Sequence, residues 1–125
     1  MKNFGLLFAA VVLSTVLFSC SRPGTGGDNI LVVFPKHHGQ SIKGATVYLR
    51  FGAKDFPGSA PTDYDMTVVG EANEEHVHVE NLRKGEYYIY SIGYDSTISA
   101  VVTGGQAFKI TSKSGEHDVD VAVTE

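Results

Sequence analysis

The chain of 125 residues contains one cysteine, no tryptophan, only four prolines and little charge. A single Cys excludes an intramolecular disulfide framework and any multi-cysteine zinc or iron–sulfur site. Charged residues make up 19% of the chain and the net charge is −4 with Lys and Arg scattered, which argues against a nucleic-acid surface. With 42% apolar residues the chain is too hydrophobic to be disordered. Its length leaves room for one domain, since a core takes roughly 100–150 residues. No G-x-S-x-G, H-E-x-x-H or phosphate-binding loop occurs. After Cys20 no segment sets apolar residues at i, i+3, i+4 and i+7 between helix caps. An enzyme, a cofactor and a helical fold are not expected.

What is present begins with an address. Lys2 precedes an apolar run from Phe4 to Phe18, broken only by Gly5, Ser14 and Thr15. At about 15 residues the run is short of the roughly 20 that span a bilayer and suits a secretory signal. It ends in Leu17-Phe18-Ser19-Cys20, where a small residue precedes the only Cys and the polar, Gly-rich SRPGTGGD follows. This stretch resembles the lipobox of bacterial lipoprotein signal peptides. The resemblance implies that residues 1–19 are removed and that Cys20 carries acyl chains such as palmitate, with residues 20–29 forming a flexible tether. From Cys20 onward nine Lys and Arg face fourteen Asp and Glu, a net charge of −5. Charge of that sign predicts no attraction to anionic lipid and leaves anchoring to the acyl chains, at about 0.8 kcal/mol per buried methylene. Ser21 rather than Asp after Cys20 points, by analogy with lipoprotein sorting, to the outer membrane. The tether lacks the acidic run associated with surface export, which favours the periplasmic face.

Residues 30–125 read as β-structure, with turn signals every 8–12 residues between short alternating runs. Strands are predicted at Ile30–Phe34 (closed by Pro35), Thr46–Phe51, Met66–Glu71, His76–Glu80, Glu86–Ile92, Ser96–Thr103, Ala107–Thr111 and His117–Val123. Residues 37–44 and 52–65 read as loops, the second being the longest, with two Gly, two Pro and three Asp. Val47, Leu49 and Phe51 share one face of their strand, and Val77 and Val79 point inward on theirs.

Three segments, SIKGATVYL (41–49), VHVENLRKGEYYIYSIGY (77–94) and HDVDVAV (117–123), resemble in order and spacing the carboxypeptidase-regulatory-like, or prealbumin-like (transthyretin-type), domains. The fold implied is an all-β, antiparallel, Ig-like or prealbumin-like β-sandwich of about seven or eight strands. Leu82 and Tyr87 flank Gly85 in the spacing of a tyrosine corner, in which a buried Tyr hydroxyl bonds backbone. The first strand, ILVVFPKHHG, departs from the family pattern. The hydroxyisourate hydrolases of transthyretin type are recognised by a C-terminal Tyr-Arg-Gly-Ser. This chain ends Val-Ala-Val-Thr-Glu, so that activity does not carry over.

The residues that could carry function are histidines, acids and tyrosines. His37-His38 and His76-x-His78 contain imidazoles suited to zinc or copper. With Val77 and Val79 inward, however, His76 and His78 read as a solvated strand face. Asp63 and Asp65 are too few for a calcium site and read as a polar loop. If Tyr87, Ile89 and Ser91 point inward, Tyr88 and Tyr90 point outward, as does Tyr48 on its own strand. Tyr combines apolar area with a polar tip, so Tyr48, Tyr88 and Tyr90 form the predicted partner-binding face. The absence of Trp favours a protein over a sugar. The expectation is thus a lipid-anchored, non-enzymatic binding or assembly module of the bacterial envelope. The alternatives are a metal-binding periplasmic protein using His37, His38, His76 and His78, and a structural subunit that associates through a sheet edge.

Overall fold

The alternating runs become eight β-strands in the computed structural model, which describes residues 22–125. Residues 1–21, with the segment expected to be a signal and Cys20, lie outside the described residues. The strands are β1 (Thr25–His37), β2 (Gln40–Ser41), β3 (Thr46–Phe51), β4 (Met66–Val69), β5 (Val77–Leu82), β6 (Gly85–Asp95), β7 (Ala100–Ile110) and β8 (Ser114–Ala122). A 3₁₀ turn at Pro61–Asp63 interrupts the long loop, and the described residues contain no α-helix.

The strands form two four-stranded sheets. In the first, β8 runs parallel to β1 from Asp28 to Lys36. On the other side of β1, antiparallel β5 covers Thr25 to Val33 and β2 takes over at Lys36. The second sheet is antiparallel throughout, in the order β4-β3-β6-β7. Leu31, Val33, Val79, Leu82, Val119 and Val121 from the first sheet meet Val47, Leu49, Tyr87, Ile89, Val102 and Ile110 from the second, all buried. Each such side chain contributes about 1.5–3 kcal/mol of transfer free energy. The protein is an all-β sandwich, as the alternation predicts.

The boundaries differ from expectation at glycines and prolines that look like strand breaks. β1 starts at Thr25, inside the segment expected to be a tether. Thr25 and Asn29 both face Leu82, so the residues between them bulge out of the ladder. Gly27 is where the backbones meet: a Cβ there would lie 2.2 Å from the Leu82 carbonyl oxygen, so glycine serves close approach at a bulge. Pro35 does not close β1. It accepts a hydrogen bond from Ile42 N–H at 2.9 Å, and its missing N–H falls where β5 has ended and β2 begins.

The two strands expected on either side of Gly104-Gly105 are one strand, β7, and residues 96–99 form the turn before it. A Cβ on Gly104 would stand 2.0 Å from the Ala122 carbonyl oxygen, because the chain end crosses there in the Thr103–Thr124 bridge. β6 likewise runs past Gly93 to Asp95, and β5 extends to the buried Leu82.

Candidate functional site

The register of β6 is set by its corner. Tyr87 is fully buried; its hydroxyl donates to the Arg83 carbonyl at 2.5 Å and accepts from Gly24 N–H at 2.9 Å. Burial pushes this hydroxyl's pKa up, opposed by the backbone bond to Gly24 and the Arg83 charge. With Tyr87, Ile89 and Ser91 inward and buried, Tyr88 and Tyr90 fall on the outer face. Tyr48 pairs directly with Tyr90 across β3 and β6, and Arg50 pairs with Tyr88. The Tyr48 and Tyr90 ring centroids are 6.2 Å apart. The three tyrosines singled out from sequence therefore share one surface.

That surface is not open. Tyr90 retains only 6% exposure, and Tyr48 and Tyr88 are half-buried. The cover is the 52–65 loop, whose Tyr64 stacks on Tyr90 with ring planes 10° apart and centroids at 5.6 Å. Tyr64 also lies 5.6 Å from Tyr48, and Phe56 lies 5.5 Å from Tyr90 and 6.1 Å from Tyr88. Such pairs contribute about 0.5–1.5 kcal/mol beyond their area, so outward orientation produced a second small core. Burial, then the neighbouring Tyr88, Tyr90 and Asp63, drive the Tyr64 hydroxyl well above the ordinary phenol range. Tyr88 is raised by burial, then by Tyr90 and Asp55.

Backbone bonds pin the loop at both ends and within. Gly52 N–H donates to Glu86 O at 2.8 Å, and Asp65 N–H donates to Leu49 O at 2.9 Å. The Tyr64 hydroxyl donates to Gly58 O at 2.7 Å. The Asp65 carboxylate accepts Phe51 N–H at 2.8 Å, and that of Asp63 accepts Ala60 N–H at 3.1 Å. Both carboxylates thus tie backbone N–H groups of the loop and of β3.

Beside the aromatic cluster the loop frames an open cleft of about 630 Å³, lined among others by Arg50, Lys54, Asp55, Thr62 and Asp63. Arg50 Nη1 donates to the Asp63 carbonyl at 3.2 Å, while Lys54 meets Glu86 at 3.5 Å. Phe56, 54% exposed, flanks this polar region on the same loop. The arrangement pairs an exposed aromatic anchor with both donors and acceptors, the chemistry of a protein contact. Sequence reading missed Phe56 and Tyr64. Their signal is two aromatics in a loop otherwise rich in Gly, Pro, Asp and Ser.

The histidines do not converge. His37 is buried, with Nδ1 at 2.7 Å from the Asp95 carboxylate. Asp95 is held down at about 2, first by the Thr97 hydroxyl and then by His37. His38 lies against the His37 ring. His76 and His78 sit on the edge of the first sheet with ring centroids 4.8 Å apart, and His76 is 3.8 Å from Glu74. The four thus fall into two separate pairs. His117 is engaged by Asn29 at 2.9 Å. Among the described residues no group of three or more His, Cys, Asp or Glu is placed to hold a metal ion, and no helix is long and apolar enough to cross a membrane. No protein-family model, curated protein or solved structure matches the chain.

Proposed function

We propose that the chain is a non-enzymatic binding module of the bacterial envelope. In this reading acyl chains on Cys20 anchor it to the periplasmic face of the outer membrane, and it holds a protein partner at the 52–65 loop. One observation carries the reading: a loop of fourteen residues without a strand is fixed on Tyr48, Tyr88 and Tyr90 and keeps Phe56 exposed beside a polar cleft. A loop ordered before binding loses little conformational freedom on association, and a rigid sandwich that presents such a loop is a common design for recognition. The tyrosines support the contact from beneath, and Phe56 with the exposed edge of Tyr88 makes it. The corner at Tyr87 and the order of the three family-like segments support kinship with prealbumin-like domains. The lipobox-like Leu17-Phe18-Ser19-Cys20 supports the anchor.

The test is affinity capture from envelope extract with the native chain and with Phe56→Ala/Tyr88→Ala. The partner captured by the native chain is expected to be lost from a variant that still folds; equal capture by both contradicts the reading. For the anchor, Cys20→Ala should shift the protein from the membrane to the soluble fraction, and unchanged fractionation refutes lipidation.

A further inference from the structure

β1 does not alternate. It is apolar at every position from Ile30 to Phe34, whereas β5 and β8 beside it set apolar and polar residues in turn. Leu31 and Val33 enter the core, so Ile30, Val32 and Phe34 face outward from the first sheet. β1 also runs parallel to β8. Unbroken apolar runs and parallel pairing both belong to strands covered on two faces, yet among the described residues no helix lies over this one. Val32 is 3% exposed, set between Asp118 of β8 and His78 of β5. Ile30 and Phe34 are half-buried, and the His76 ring lies 5.5 Å from that of Phe34.

The apolar stripe is walled mainly by acids. Glu116, Asp118 and Asp120 stand opposite Ile30, Val32 and Phe34 along β8, and all three are exposed. On the other side stand His76, His78 and the exposed Glu80, and Asp28 continues the face toward the start of β1. The cations lie at the margins. Lys36 is paired with Asp120 at 3.2 Å, Arg83 donates to Thr25 O at 2.7 Å, and Lys113 precedes β8. Five acids against three cations leave the face negative. A second copy of the chain, an anionic lipid surface and a nucleic acid carry the same sign and are disfavoured as occupants, whereas a basic partner is drawn in. Shape narrows the choice further. Neighbouring strands stand about 4.8 Å apart, so β5 and β8 are separated across β1 by about 10 Å, the width of an α-helix. The ladder from Asp28 to Lys36 is about 26 Å long, the length of roughly 17 helical residues.

We infer that the outer face of the first sheet docks a basic amphipathic helix of a partner protein. The apolar side of that helix lies along Ile30, Val32 and Phe34, the helix-in-groove mode of recognition. Its Lys and Arg residues meet Glu116, Asp118 and Asp120 on one flank and Glu80 on the other. The docked helix gives β1 the second covered face that its composition calls for. This face is separate from the contact proposed above, because the 52–65 loop packs on Tyr90 of the second sheet, and neither reading depends on the other.

The test titrates the purified chain with three synthetic peptides of about 18 residues. One is an amphipathic Leu/Lys helix, one has the same composition scrambled so that Leu and Lys do not segregate, and one is the Leu/Glu counterpart of the first. The Leu/Lys helix is expected to bind saturably, one to one, and to shift the backbone amide resonances of β1, β5 and β8 while leaving those of Phe56 and Tyr64 in place. The other two peptides should bind at least about tenfold more weakly. Glu116→Gln/Asp118→Asn changes only exposed side chains, so the variant keeps its fold, and it should weaken binding by about fivefold or more. Phe56→Ala/Tyr88→Ala should leave it unchanged, which separates this face from the loop contact. No saturable binding of the Leu/Lys helix, equal binding of the scrambled peptide, equal binding by Glu116→Gln/Asp118→Asn, or resonance shifts confined to the 52–65 loop overturns the proposal, whatever partner the loop captures.

Discussion

Truncating Tyr64 separates the fold from its capped face. Its side chain is 9% exposed, stacks on Tyr90, packs against Tyr48 and donates to Gly58 O at 2.7 Å. Tyr64→Ala removes two aromatic pairs at about 0.5–1.5 kcal/mol each and one hydrogen bond at about 0.5–1.5 kcal/mol. The loop is free to collapse or detach, so the cost falls below that of a core aromatic truncation, at about 2–4 kcal/mol. Tyr64→Phe keeps the stack and costs only the hydrogen bond, about 1 kcal/mol. Urea unfolding measures both, and amide exchange locates the damage. Phe51 N–H, which donates to Asp65, and Asp63 N–H, which donates to Ala60 O, should lose protection in Tyr64→Ala while β1 and β8 keep theirs. A cost below about 0.5 kcal/mol with unchanged exchange at Phe51 would refute the claim that the tyrosines hold the loop.

The Ser91 hydroxyl is buried in the core without a hydrogen-bond partner, so Ser91→Ala is expected to stabilise the domain by about 1 kcal/mol. A loss of stability on urea unfolding would show that the hydroxyl is satisfied. Asp95 titrates at about 2, below the ordinary 3.8, because Thr97 and His37 stabilise its charge. A depressed folded pKa gives stability that is present above about pH 4 and is lost as pH falls through about 2. Asp95→Asn should flatten this acid limb in unfolding measured across the range, and an unchanged limb places the acid sensitivity elsewhere.

Period-two alternation made much of the sandwich legible. β3 has the predicted bounds, and Val47, Leu49, Val77, Val79, Val119 and Val121 point inward as expected. The corner at Tyr87 sets the right face for Tyr88 and Tyr90, and alternation along β3 does so for Tyr48. What was not legible came from contacts that no local window contains. Gly27 and Gly104 look like tether and turn residues, yet each sits where another backbone passes too close for a Cβ. Outward orientation on a strand implies exposure only where nothing folds back over it. Here Phe56 and Tyr64 fold back over that face, and nothing in strand periodicity foretells a loop that covers it.

The central claim is that the loop face is the point of contact, and a photo-crosslinking phenylalanine derivative at position 56, irradiated in living cells, addresses it most directly. The account predicts an adduct with one envelope protein that is absent when the crosslinker replaces Val101 at the far end, and that disappears when Tyr64→Ala releases the loop. No adduct from position 56, or the same adducts from 56 and 101, would contradict it.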